Sequence, residues 1–191
     1  MRAPLLALLA LAGAFGLSAC ATTPMVEPVA SMDTLQALQT SGLAPIRVGA
    51  FKPDAALPPG KDRSINSRAS TIKPPTGKSF AAYLGQTLEA ELKGAGKLDA
   101  ASPLEVTGFL TESTLDSAGF VTANGALAAR FVVTRGGAVV YDKVLRVEAT
   151  WDSNFIGAIA IPAAINNYNA LYPKLARALL QDPDFVAATK G

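Results

Sequence analysis

Histidine is absent from the chain, and cysteine occurs once, at Cys20. The first absence removes the commonest general base and the commonest metal ligand. The second excludes an internal disulfide, so the folded chain must be held by packing. Catalysis would then fall to carboxylates, of which Glu105, Glu112, Asp116, Asp142, Glu148 and Asp152 are the candidates. Asp142 and Glu148 fall on the solvent side of an alternating strand, and no spacing pairs two of the six as two-carboxylate hydrolysis requires. The acidic residues are also too dispersed for a calcium loop. No catalytic residue, metal or cofactor is therefore expected, and a hydrolase acting on cell-wall glycan has no visible machinery. An excess of either charge is missing too: 17 Lys and Arg stand against 15 Asp and Glu. That balance argues against electrostatic capture of nucleic acid.

What the sequence does have is an abrupt border at Leu17-Ser18-Ala19-Cys20. Before it, Arg2 supplies one positive charge, and residues 5–17 form an apolar run too short to span a bilayer comfortably, as in a secretory leader. The order Leu-Ser-Ala-Cys resembles the lipobox of bacterial lipoproteins. That resemblance implies cleavage of residues 1–19, attachment of diacylglycerol and an acyl chain such as palmitate to Cys20, and a new N-terminus there. The competing reading of Cys20 is a free thiol in an ordinary secretory signal. Three chains, at roughly 0.8 kcal/mol per buried methylene, would hold the protein on a membrane with no transmembrane helix. Lipoproteins retained in the inner membrane commonly carry aspartate after the cysteine; Ala21 stands here, which implies the outer membrane and its periplasmic face.

Residues 20–44 read as a lipidated N-terminus, a tether and a short helix. Pro24 and Pro28 make regular pairing of the tether unlikely. Ser31 is placed to cap a helix with Met32, Leu35 and Leu38 on one face, stopped by Gly42. Residues 45–191 then form one domain. Its first strand alternates over 46–51, with Ile46, Val48 and Ala50 on one side. The stretch 52–78 turns to Pro, Gly, Ser and charge, with an irregular or edge strand expected over 64–72. Arg63 and Arg68 lie in this locally basic loop, which suits an acidic partner or phosphate head groups, or equally a solvated loop interrupted by Asp54 and Asp62. Thr76-Gly77-Lys78-Ser79 imitates a phosphate-binding loop, but Ile72 stands where its first glycine belongs, and Pro74 and Pro75 delete two of the cradling N–H groups.

Ser79 serves better as an N-cap. Behind it Phe80, Tyr83, Leu84, Thr87, Leu88 and Leu92 recur at helical spacing, with Gly94 and Gly96 able to end the helix at positive φ. Strand alternation follows over 104–111, breaks at Asp116-Ser117-Ala118-Gly119 and again at Asn124-Gly125, and resumes over 126–134. Gly136-Gly137 offers a tight turn into a long strand with Val139, Tyr141, Leu145, Val147, Ala149 and Trp151 on one side. The segment from Phe155 to Ile161 is unusually apolar. It is either a membrane-facing or partner-binding patch or a buried turn under the sheet. Pro162 suits the first turn of a last helix, in which Pro173 should produce a bend.

The order strand, helix, three strands, helix predicts an α+β domain: an antiparallel sheet of about four strands with two main helices on one face. Most of the mature chain, and 151–168 most closely, resembles YajG-like and other periplasmic lipoproteins of α+β organisation. A second resemblance is to auxiliary lipoproteins of envelope lipid-transport systems. With the absence of catalytic machinery, they imply a non-catalytic envelope lipoprotein that binds or assembles with an envelope protein partner. The residues themselves, not the resemblances, single out Trp151, Phe155 and Ile156 at the end of the last strand, and Arg63 and Arg68 on the long loop, as its binding elements. The alternative the resemblances imply is a lipid-binding transport accessory with an apolar cleft between helices and sheet.

Overall fold

The computed structural model describes residues 21–75 and 79–191. The leader, Cys20, and the Thr76, Gly77 and Lys78 of the phosphate-loop look-alike lie outside the described residues.

Among the described residues, two sheets and four helices form the α+β fold. The larger sheet has the order β2-β5-β6-β7, built from β2 (Arg47–Pro53), β5 (Leu104–Asp116), β6 (Thr122–Arg135) and β7 (Ala138–Asp152). It is mixed rather than antiparallel: β5, β6 and β7 form an antiparallel meander, whereas β2 pairs with β5 in parallel. The reason is the helix between β2 and β5. A crossover through a helix returns the chain to the same end of the sheet, so the next strand runs in the same direction.

That helix, α2 (Phe80–Gly94), is capped by Ser79, whose Oγ accepts from the Ala82 N–H at 3.0 Å. Gly96, and not Gly94, takes the positive φ that ends the turn. Phe80, Leu84, Leu88 and Leu92 are completely buried against the sheet, each contributing about 1.5–3 kcal/mol of apolar burial. The second main helix, α3 (Gly157–Leu180), packs beside α2 and over β6 and β7. It begins five residues before Pro162, so that proline lies inside the helix and not at its first turn. Tyr168, Tyr172, Leu175 and Leu179 form its buried stripe. A short α4 (Pro183–Thr189) follows, capped by Asp182, and inserts Phe185 edge-on against Tyr141.

One expected break is not a break. β6 runs straight through Asn124-Gly125, because a Cβ at position 125 would stand 3.3 Å from Leu171 and 3.6 Å from the Trp151 ring. The glycine is there for close packing. On β7 the inward alternation holds from Tyr141 to Trp151, but a bulge opposite Val133 and Thr134 turns Val139 outward, leaving it exposed.

The smaller sheet has the order β1-β4-β3, from β1 (Ala21–Pro24), β3 (Ile65–Ser67) and β4 (Ser70–Lys73). The edge strand anticipated over 64–72 is thus a hairpin, joined by Arg68 and Ala69. The proposed tether is a strand: Ala21 to Pro24 pair in parallel with Ser70 to Lys73, and the Met25 N–H donates to the Lys73 carbonyl at 2.9 Å. Pro24 is tolerated because β1 is an edge and the proline closes it. Met25 is buried, and the Tyr83 hydroxyl donates to the Val26 carbonyl at 2.8 Å. The chain then enters α1 (Met32–Thr40), capped by Ser31 as expected, with Leu38 buried but Met32 exposed and Thr34 in its place.

Candidate interaction surface

Three connections converge at one end of the larger sheet: the β5–β6 loop, the β7–α3 loop and the β3–β4 turn. The pairing of Thr122 with Asp152 fixes the first two side by side. Beyond it the Ser153 N–H donates to the Val121 carbonyl at 2.7 Å, and Ser153 Oγ donates to the Gly119 carbonyl at 2.8 Å. The third joins through Arg68. Its Nε donates to the Ser117 carbonyl at 2.8 Å and its Nη2 to the Gly119 carbonyl at 2.9 Å and to Ser153 Oγ at 3.2 Å. Nη1 reaches the Phe155 carbonyl at 3.5 Å. Beneath it, Ser67 Oγ and Ser117 Oγ share a buried hydrogen bond of 3.0 Å.

Arg68 sits at φ 53°, the one non-glycine residue at positive φ among those described. L-residues adopt that region at a cost, and such a conformation persists where surrounding bonds over-determine it. Here the guanidinium supplies those bonds. With its charge spent on backbone oxygens, Arg68 acts as a clasp.

The clasped loops present large apolar side chains to solvent: Phe120, Val121, Phe155, Ile156 and Ile159 are 70%, 78%, 75%, 44% and 54% exposed. The Arg68 guanidinium lies 6.0 Å from the centre of the Phe120 ring. The buried-turn alternative for Phe155 to Ile161 therefore fails from Phe155 to Ile159; only from Ala160 onward does the segment pack inward.

The five residues singled out in the sequence do not form one site. Arg68, Phe155 and Ile156 come together. Trp151 is half-buried, its ring edge over Gly125, and serves the packing of the sheet under α3. Arg63 is exposed at the other end of β3, on the rim of a concavity of about 550 Å³ that Phe51, Asp54, Pro58 and Ser79 also line. Phe120 and Val121 were not anticipated, whereas Ile159 belongs to the apolar segment from Phe155 to Ile161. Two consecutive large apolar residues inside a Ser-Ala-Gly loop are a signal in the sequence, since a turn supplies no core to bury them.

Four of the six candidate carboxylates, Glu105, Glu112, Asp142 and Glu148, are paired with arginines, Glu105 with Arg47. On the outer face of the larger sheet, Arg130 Nε donates to Asp142 at 2.7 Å, and Arg146 bridges Glu112, at 2.8 Å, and Glu148. The hydrogen bond from Arg130 holds Asp142 below the usual carboxylate range, and that from Arg146 does the same to Glu148. A general acid needs the opposite shift. Among the described residues no three His, Cys, Asp or Glu side chains are grouped to hold a metal ion, and no helix is long and apolar enough to cross a membrane.

Aromatic side chains pack the interface where α2 and α3 meet the larger sheet, and a concavity of about 190 Å³ opens between α2 and β2, lined by Val48, Phe51, Gly85 and Gln86. Ser113 Oγ and the Tyr168 hydroxyl are 2.8 Å apart, and the Tyr168 and Tyr172 hydroxyls 2.9 Å apart, in a fully buried chain. Tyr83 and Phe80 pack edge-on against Tyr172 and Tyr168 respectively. Burial pushes Tyr168 up to about 12 and Tyr172 well above its ordinary value. The apolar concavity nearest this cluster is a surface groove of about 210 Å³ between the Val26–Val29 segment, Tyr83, Thr87 and Asn169, smaller than the roughly 300–1,000 Å³ of typical ligand pockets.

No protein-family model matches the chain, and none of the curated proteins does. Among solved structures it is similar to protein XCC0632 from Xanthomonas campestris, of family DUF330, with a TM-score of 0.54 at 13% identity, over 83% of this chain and 94% of that one. The two share a fold. A candidate lipoprotein from Caulobacter crescentus aligns with a TM-score of 0.44 at 15% identity, over 81% of this chain and 96% of its own. For a minor lipoprotein from Acinetobacter baumannii the values are 0.43, 10%, 72% and 90%.

Proposed function

We propose that the chain is a non-catalytic lipoprotein, anchored through Cys20 in the outer membrane and facing the periplasm, where it acts as a binding or assembly partner of an envelope protein. The observation that carries this reading is the continuity between the lipobox and the fold. Ala21, the residue after Cys20, is already paired with Ser70 in the smaller sheet, so a lipid on that cysteine would hold the domain against the membrane with almost no linker. Full occupation of Asp142, Glu112 and Glu148 by arginines supports a non-catalytic role. The Arg68, Phe155 and Ile156 end and the Arg63 rim are the surfaces through which it engages the envelope. The second reading, a lipid-binding transport accessory, draws on the apolar groove beside Val26 and Tyr83.

Fractionation of cells carrying the full chain tests this function. The wild-type protein should band with outer-membrane density and Cys20→Ala should appear in the soluble periplasm. A photoreactive residue at Arg63 should capture one discrete protein. Identical distribution of the two chains, or no protein adduct at position 63, would count against it.

A further inference from the structure

We infer that the loop end of the larger sheet, formed by Phe120, Val121, Phe155, Ile156 and Ile159, is a bilayer-contacting surface that dips between zwitterionic lipids beside the anchored N-terminus. This deepens the anchoring reading above and rests on it. The argument is one of placement. Ala21 pairs with Ser70, two residues from Arg68, and Arg68 is bonded to Ser117, Gly119, Ser153 and Phe155. The described chain therefore begins at the same end of the molecule as the exposed apolar loops, and Cys20 is one peptide unit, about 3.8 Å between Cα atoms, before it. A lipid on Cys20 brings that end to the membrane, and the side chains that meet it there are those a bilayer interface accommodates.

The polar groups of this end fit the same occupant. The loop carbonyls of Ser117, Gly119 and Phe155, which would otherwise be desolvated on insertion, already accept from Arg68. Asp116 and Asp152 stand at the strand ends just behind the apolar tips and are exposed. Set against the single cation of Arg68, they disfavour an anionic surface and leave zwitterionic head groups as the match. At the opposite end, Val139 is equally apolar and 61% exposed, but it stands near the far end of β7 from Phe155, with roughly 40 Å of strand between Val139 and Asp152. Exposed apolar side chains there have no membrane within reach.

A photoreactive phenylalanine analogue, placed in turn at Phe120, Phe155, Ile156 and Val139 of the full chain in intact cells, tests the surface. All four positions are solvent-exposed, so the substitutions leave the core intact. After irradiation, phospholipid adducts are counted by mass spectrometry, and the mass of the N-terminal peptide is read from the same sample. Phospholipid adducts several-fold more abundant at positions 120, 155 and 156 than at 139 are expected. Adducts no more abundant than at 139, or protein adducts in their place, overturn the surface. The N-terminal mass decides the anchor separately: an acylated Cys20 without loop adducts sinks the surface and spares the anchor, whereas loop adducts with an unmodified Cys20 do the reverse.

Discussion

The Arg68 guanidinium donates to the carbonyl of Gly119 at 2.9 Å and so joins the small sheet to the far loop of the large one. Arg68→Ala removes that bond and its companions to Ser117 and Ser153, leaves the backbone at positive φ, and should cost about 1–3 kcal/mol. Arg68→Gly loses the same bonds but relieves the backbone, so it should be the milder change by some tenths of a kcal/mol to about 1 kcal/mol. Denaturant midpoints at constant m-value check the order. An alanine variant as stable as wild type would show that the clasp contributes nothing.

Phe51 lies across β5 where no side chain projects. A Cβ added to Gly108 would stand 2.3 Å from its Cε1, and one added to Gly85 on α2 3.0 Å from the same ring, which also meets Phe131 edge-on at 6.1 Å. Gly108→Ala should therefore destabilise by about 1–3 kcal/mol through overpacking. In a Phe51→Ala background the same substitution should cost much less, giving a coupling energy well outside the additive range. Equal costs in both backgrounds would refute the contact.

The four tyrosines of the chain report on the core. Burial raises Tyr83, Tyr141 and Tyr168 to about 12 and Tyr172 well above its ordinary value. Each is protonated in the folded state at a pH where the unfolded chain, with pKa near 10, has begun to ionise. The stability this contributes is complete below about pH 10 and is lost as pH rises from there through about 12. Absorbance at the tyrosinate band should stay flat to about pH 11 and then rise together with loss of tertiary signal. A tyrosinate step near pH 10 without unfolding would contradict the buried chain.

The Tyr83 hydroxyl anchors the segment after β1 through Val26. Tyr83→Phe leaves that carbonyl without its donor and should cost about 1 kcal/mol. The loss should be local: the Met25 amide, bonded to Lys73, should exchange faster, while amides of β5 and β6 are unchanged. Uniform acceleration across all strands, or none at Met25, would argue against a docked N-terminal strand.

Elements whose signals are local were legible in the sequence. Ser79 with the spacing of Phe80, Leu84 and Leu88 carries α2 by itself, and the Gly136-Gly137 turn carries the β6–β7 hairpin. Features that depend on a distant partner were not. β1 pairs only because β4 offers an edge fifty residues on, and two prolines argue locally against it. The parallel pairing of β2 with β5 follows from the crossover helix and leaves no mark in either strand's alternation. Gly125 reads as a turn until Leu171 and Trp151 occupy the space its side chain would fill. At the loop end, Phe155 and Ile156 were visible as an apolar run, but their exposure was not, because the same run could equally have sealed the core. Arg68 was visible only as a basic loop residue; its role lies in three carbonyls brought to it by the fold.

The mass of the first proteolytic peptide of the mature protein, recovered from outer membranes, tests the central claim most directly. Trypsin should release residues 20–47, since Arg47 is the first basic residue after Cys20. The account predicts that this peptide begins at Cys20 and carries a diacylglyceryl group on sulfur and an acyl chain on nitrogen. An unmodified peptide, or a mature N-terminus at any other residue, would contradict it.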